Sequence, residues 1–310
     1  MRILFMGTGG FAVPSLKALL GSEHQVVGVV TQPDRPAGRG RQLRISPVKE
    51  VAQEAGIPVY QPEKVRSEDF IGQVIQMCPD VIVVAAFGQI IPKAILDIPK
   101  YGNVNVHASL LPKYRGAAPV HYALFNGEAV TGVTIMLMDP GLDTGPILLQ
   151  REVAIRPEDN EGSLEARLAE VGADLLLETL DGIERGAITP KPQDNSQATH
   201  APSVKREECR INWKEDACTI VNRVRGCTPR PGAYTFRGES PLRIWACRPI
   251  EEVQVLGQPG EVLDVGSEGV VVQAGRGAVM VTEVQPENRK RMPAGEFIRG
   301  YRITRGERLT

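Results

Sequence analysis

The chain has 310 residues, of which 42% are hydrophobic and 24% charged, with a formal net charge of −1; these are proportions of a folded protein of one or two domains and exclude a predominantly disordered chain. No run approaches the ~18 consecutive apolar residues of a membrane span, and Gly7, Gly9, Gly10 and Pro14 break the apolar N-terminus before a secretory signal core forms. The cysteines, Cys78, Cys209, Cys218, Cys227 and Cys247, are odd in number and far apart, with no C-x-x-C, which argues against a disulfide framework or zinc ribbon and for a reduced, cytoplasmic setting.

Residues 2–6 read as a buried strand that runs into Gly7-Thr8-Gly9-Gly10-Phe11-Ala12. This matches G-x-G-x-x-A, a turn whose glycines let the backbone approach a pyrophosphate at a helix start. That fingerprint also needs an acid at the end of the second strand, but the second strand here runs into Thr31-Gln32-Pro33 and the first acid is Asp34, inside a Pro/Gly/Arg loop. An NAD(P)-dependent oxidoreductase is therefore a weaker alternative.

Residues 13–20, 47–55 and 69–77 read as helices, the second opened by Ser46-Pro47, an N-cap and a first-turn proline. Residues 26–31, 81–85 and 104–107 read as buried strands. Strands alternating with helices predict an α/β fold with a doubly wound, mostly parallel, Rossmann-type sheet. Residues 131–138 and 146–153 are extended pieces on either side of a DPGLDTG turn, and 164–183 form one long helix.

The segment 189–205, with three prolines and no apolar period, reads as a linker between a domain over 1–188 and a smaller one over 206–310. Beyond it the helical pattern occurs once, at 217–224. Short apolar runs at 242–246, 260–265, 269–274 and 278–284 predict a small β-barrel. Residues 205–310 carry 18 Lys and Arg, most of them Arg, against 14 Asp and Glu, whereas the preceding part is net acidic; a polyanion fits the C-terminal part, and so does a solvated surface of mixed charge.

Three places can carry chemistry: the glycine-rich turn, the stretch 103–116 and the DPGLDTG loop. Asn105 and His107 are two apart in a strand, so they share one face. At the carboxyl end of a central strand, an amide that donates to a developing oxyanion and an imidazole that moves protons near neutrality suit acyl transfer. Asp139 and Asp143 lie in the Gly-rich loop; either can be a turn former or a carboxylate that holds one tautomer of His107. No H-x-x-x-H, H-E-x-x-H or G-x-S-x-G occurs, so no metal and no serine nucleophile are expected.

Asn105-Val106-His107, Ser109-Leu110-Leu111-Pro112 and Leu142-Asp143-Thr144-Gly145 together resemble the Asn–His–Asp site of the folate-dependent formyltransferases. The segments 32–40 (QPDRPAGRG), 114–119 (YRGAAP), 231–235 (PGAYT) and 297–302 (FIRGYR) resemble the branch of that family that acts on tRNA, over nearly the whole chain. Arg230 departs from the aromatic residue the family often has before Pro-Gly-Ala-Tyr.

The resemblance implies 10-formyltetrahydrofolate as formyl donor and the α-amino group of methionyl initiator tRNA as acceptor. It implies Asn105, His107 and Asp143 as catalytic residues. Phe87, Gly88, Gln89, Ile90, Ile91, Ser109, Leu110, Leu111, Pro112 and Asp139 would bind folate. An OB-like C-terminal barrel would grip the tRNA. Arg35, Arg39 and Arg41 in the basic loop, with Lys205, Arg206, Arg289, Lys290 and Arg291 beyond the linker, would bind tRNA. A monomer without membrane contact is expected. A folate-dependent formyltransferase of amino-sugar nucleotides shares the first domain and stays as the main alternative; a nucleic-acid-binding module without catalysis is a third.

Overall fold

A computed structural model describes residues 1–37, 42–250 and 257–310. The chain divides into two compact units, Met1–Gly116 with Val130–Ala154 and Glu165–His200, and Ala117–Ala129 with Ile155–Leu164 and Ala201–Thr310. The main crossing, at His200–Ala201, falls inside the segment read as a linker. Two short pieces of the first half also belong to the second unit, because Phe125 of one packs on that unit's core and the other abuts Pro229 at Gly162.

In chain order the first half contains β1 (Arg2–Gly7), α1 (Ala12–Leu20), β2 (Gln25–Val30), β3 (Arg35–Ala37), β4 (Gln42–Arg44), α2 (Pro47–Glu54), β5 (Val59–Tyr60), α3 (Glu68–Met77), β6 (Val81–Ala85), α4 (Lys93–Leu96) and β7 (Asn103–His107). Then come α5 (Pro119–Phe125), β8 (Val130–Leu137), β9 (Ile147–Ala154) and α6 (Glu161–Glu184). As expected, Ser46 caps α2 by accepting from Lys49 N–H.

The sheet of the first unit runs β5-β2-β1-β6-β7-β8-β9. It is parallel from β5 to β7, while β8 is antiparallel to both its neighbours. Every residue of β6 is buried, as a strand covered on both faces requires. The order reverses at β1, with β2 on one side and β6 on the other. That switch point opens a crevice at the carboxyl ends of the strands, where sheets of this kind bind ligands.

The second unit continues with α7 (Ala217–Cys227), β10 (Ala233–Arg237), β11 (Ser240–Ile250), β12 (Val262–Gly266), β13 (Gly269–Gln273), β14 (Ala278–Pro286), β15 (Met292–Pro293) and α8 (Ala294–Tyr301). The strands are antiparallel in the order β10-β11-β14-β13-β12, with β15 on β14. The chain end closes this sheet: Leu309 bridges Arg237 and Arg308 bridges Glu261, so both edges are paired by one extended piece. Closure removes the free edges, in keeping with an OB-like barrel. Inside it lie Trp213, Ile220, Val224, Ile244, Val272, Val281, Phe297 and Leu309.

The reading of a single helix after the linker is corrected by α8. Its Ala294 and Phe297 are buried, and Tyr301 stacks on Phe297 with ring centroids 4.9 Å apart. Gly295 and Gly300 dilute the pattern, so packing rather than propensity forms this helix. Since Leu309 is 3% exposed on the closing piece, Leu309→Ala is expected to cost about 2–5 kcal/mol. Urea unfolding of the full chain measures it; an unchanged midpoint would show the closing piece to be dispensable.

Candidate active site

Strand β7 has β6 on one side and β8 on the other, with Asn105 opposite Met136 and His107 opposite Thr134. Val104 and Val106 are buried and hold the strand in place, while Asn105 and His107 share the other face, Asn105 half-buried and His107 buried. Past His107 the chain folds back in a tight turn. Ser109 Oγ donates to the Lys113 carbonyl (2.6 Å), Thr134 Oγ1 donates to the Ser109 carbonyl (2.6 Å), and Gln150 Nε2 donates to the Leu111 carbonyl (2.9 Å).

This turn brings the Tyr114 carbonyl to 3.0 Å from His107 Nε2. A carbonyl only accepts, so Nε2 carries a proton and the lone pair of the neutral ring sits on Nδ1. The expectation that a carboxylate fixes the tautomer is thereby corrected: the backbone fixes it, and Nδ1 faces Asp143 Oδ2 at 3.8 Å.

The loop bearing Asp143 is shaped by Asp139, whose Oδ1 accepts from Gly141 N–H (3.0 Å) and Thr144 Oγ1 (2.6 Å). A Cβ on Gly145 would stand 1.9 Å from the Leu137 carbonyl oxygen, so only glycine passes there. Asp143 itself has φ +53°, in the left-handed region. Its Oδ2 accepts from Gly116 N–H (2.8 Å) and its Oδ1 from Asn105 Nδ2 (3.5 Å). Amide, imidazole and carboxylate from positions 105, 107 and 143 therefore meet. Such a set can offer a donor, a proton carrier and a proton acceptor to one reacting centre.

Beside them, at the switch point, a cavity of about 600 Å³ is lined by Thr8, Gln32, Arg35, Glu63, Phe87 and Gln89 among others. The trio does not line it, although β6 and β7 are neighbours. Thr8 Oγ1 donates to the Phe87 carbonyl (3.1 Å) and accepts from Gln32 N–H (3.2 Å), which locks the cavity floor.

The residues read as folate-binding divide by burial. Gly88 and Ile90 are exposed, Ile90 by 90%, Gln89, Leu110 and Pro112 are intermediate, and Phe87 and Ile91 are packed inward. Ser109 and Leu111 are buried, and the Ser109 hydroxyl is engaged in the turn, so these two build the wall. Exposed Ile90 and Leu142 (65%) leave apolar surface in water, one on the loop after β6 and the other on the loop between β8 and β9, which fits an apolar ring system.

The glycine-rich turn serves packing. A Cβ on Gly7 would stand 2.8 Å from both Ala12 Cβ and Phe5 Cε1. Asp34, the first acid after the second strand, is spent on an ion pair with Lys49 and a bond from Gln61 Nε2 (2.9 Å). Hydrogen bonds from Lys49 and Gln61 hold its carboxyl below the ordinary range. The carboxylate after the second strand is thus not free for a ribose, which removes support for a dinucleotide.

Of the basic residues, Arg35 is exposed on β3 and lines the cavity. Arg39 and Arg41 lie outside the described residues. Lys205, Arg206, Arg289 and Lys290 are exposed, with the Arg206 guanidinium 5.6 Å from the Tyr234 ring. Arg291 is engaged, paired with Glu283 and 5.3 Å from the Trp245 ring. Among the described residues no group of three or more His, Cys, Asp and Glu can hold a metal, and no helix is long and apolar enough to cross a membrane.

Sequence reading missed the Tyr114 carbonyl and the Gly116 amide, although the triplet Tyr-Arg-Gly was the visible signal for both. It also missed Gln193, in the segment read as a linker, whose amide bonds the carbonyls of Asp143 and Gly145.

Residues 1–180 match the family model described as formyl transferase, and 203–302 match formyl transferase, C-terminal domain. The chain is 50% identical over 306 residues to the methionyl-tRNA formyltransferase of Citrifermentans bemidjiense, covering 99% of this chain and 95% of that one. It is 51% identical over 306 residues to the methionyl-tRNA formyltransferase of Syntrophus aciditrophicus, covering 99% and 98%. A crystal structure of HypX from Aquifex aeolicus in complex with tetrahydrofolic acid matches with a TM-score of 0.64 at 22% identity, over 97% of this chain and 48% of that one. This chain spans about half of that protein, and the likeness bears on the fold alone. Two family models placed end to end and half-identical relatives over the full length lead to one statement: the chain belongs to the formyl transferase family.

Proposed function

We propose that this chain transfers the formyl group of 10-formyltetrahydrofolate to the α-amino group of methionyl initiator tRNA. The observation that carries the reading is the meeting of Asn105, His107 and Asp143 at the end of β7, in a chain half-identical from end to end to methionyl-tRNA formyltransferases. Bound folate would supply an activated one-carbon unit at the formyl oxidation level. Phe87 to Ile91, Leu110, Pro112 and the loop shaped by Asp139 would hold its ring, with Ile90 and Leu142 covered when it binds.

Asn105 Nδ2 donates to the formyl oxygen as negative charge gathers there. His107, its Nε2–H tied to the Tyr114 carbonyl, turns Nδ1 to the reacting atoms, takes up there, by way of Asp143, the proton that the attacking amine sheds, and passes it toward the leaving nitrogen. Asp143 accepts the proton that the attacking amine sheds and opposes the charge on a protonated His107. Arg35, Arg39 and Arg41, with Lys205, Arg206, Arg289 and Lys290, would bind tRNA phosphates. The division of labour is a catalytic body over 1–188, a connection over 189–205 and a tRNA-binding barrel over 206–310. We place the protein in the cytoplasm, as a monomer.

Filter binding with initiator tRNA tests the partner. Binding at low salt is expected to weaken steeply as salt rises, and Lys290→Ala to lower the slope by about one while kcat at saturating tRNA stays unchanged. Absence of binding at low salt would overturn tRNA as the acceptor.

A further inference from the structure

We infer that Gln193, backed by Arg115, is a positioning residue for Asp143; the inference rests on the formyl-transfer reading and deepens it. Gln193 lies in the connecting segment between α6 and the second unit, 50 residues from Asp143 in sequence, and is half-buried. Its Nε2 donates to the carbonyls of Asp143 (2.9 Å) and Gly145 (2.7 Å). Its Oε1 accepts from Nε (3.1 Å) and Nη2 (2.7 Å) of Arg115.

Both amide hydrogens and both lone pairs are therefore used, and the amide can stand only one way round. A flipped amide would set oxygen against two carbonyls and N–H against a guanidinium, which has no acceptor. Arg115, 5% exposed, is itself fixed by a bond from Nη2 to Asn195 Oδ1 (2.8 Å) and from its N–H to the Thr199 carbonyl (2.8 Å).

The clamp joins the two pieces of chain that orient the trio. Residues 114–116 supply the Tyr114 carbonyl that holds His107 and the Gly116 amide that holds Asp143. The loop 143–145 carries Asp143 in a left-handed conformation that a residue other than glycine rarely keeps unless its surroundings impose it. Bonds to the carbonyls on either side of Thr144 impose it. With the clamp gone the loop relaxes, and the carboxylate leaves Gly116 and the Nδ1 side of His107. Stacking the segment on the unit for stability alone would be satisfied by the paired backbone groups of Ile147 and Lys191 (2.8 Å each way); a buried arginine reaching a side-chain amide adds direction.

The experiment uses the full chain with charged initiator tRNA and formyl-folate, and compares wild type, Gln193→Ala, Gln193→Glu, Asp143→Asn and the double variant Gln193→Ala/Asp143→Asn. Gln193→Glu keeps the acceptor for Arg115 and loses the donors. Both single Gln193 variants are expected to lose kcat by about 10- to 100-fold, with KM for either substrate within about twofold and with a displaced pH–rate profile. In the Asp143→Asn background the same substitution is expected to cost almost nothing more, because the group it positions is already gone. Hydrogen exchange at the Gly116 amide reads the clamp without activity and is expected to quicken in both variants.

An undiminished kcat in the Gln193 variants overturns the inference, and so does an equal loss on top of Asp143→Asn or a loss that merely tracks the unfolded fraction. Should Gln193→Ala not fold, Gln193→Glu with the amide-exchange measurement decides alone. A wild-type chain that forms no formyl-methionyl-tRNA overturns the functional reading instead, and the amide exchange still reports whether Gln193 holds the loop.

Discussion

Asn105→Ala is expected to lower kcat for formyl transfer by about 100- to 1000-fold, the cost of one lost oxyanion donor, with the chain still folded. The side chain is half-buried on a strand whose Val104 and Val106 carry the packing, so truncation leaves the sheet intact. Its side-chain bond to Asp143 Oδ1 is 3.5 Å long. A contact of that length contributes little to the resting enzyme and leaves the amide available to a better acceptor.

That acceptor exists only once charge gathers on the formyl oxygen, so the loss falls on kcat and KM barely changes. Single-turnover transfer to charged tRNA measures it. A loss under tenfold would move the oxyanion site elsewhere. His107→Ala separates catalysis from mere binding: a nucleic-acid-binding module would keep all its affinity and have no transfer to lose.

The parallel body of the fold was legible because its signals are local. A strand such as 81–85, apolar at every position, and a helix opened by Ser46-Pro47 each declare themselves within a few residues. Asn105 and His107 were legible as a pair for the same reason, a spacing of two on an interior strand. Asp143 was found through the motif around it; by composition alone it and Asp139 are equivalent, and only the folded loop separates them, Asp139 tying Gly141 and Thr144 while Asp143 turns to His107.

What stayed hidden is held by long-range backbone. The Tyr114 carbonyl, the Gly116 amide and the reach of Gln193 across 50 residues leave no periodic trace, since a carbonyl has no letter in the sequence. Barrel closure by Leu309 and Thr310 is hidden likewise, because a short extended tail looks the same whether paired or free.

Asp143→Asn keeps the size and shape of the side chain and removes its charge, and is expected to lower kcat by about 100- to 10,000-fold, the range of a lost general base. Two effects add. The amide cannot take the proton from the attacking amine, and it no longer opposes the positive charge on His107, whose Nδ1 stands 3.8 Å from Oδ2 in the wild type. Single-turnover transfer at saturating folate and charged tRNA measures the loss.

Folding should suffer little. Gly116 N–H still finds a carbonyl oxygen if the amide turns its Oδ1 that way, and its Nδ2 then faces Asn105, whose own amide can present oxygen by the same rotation. Thermal unfolding and the KM values for folate and tRNA serve as controls. A loss of less than tenfold would mean that the amine proton goes to water and that Asp143 acts through the charge on His107 alone.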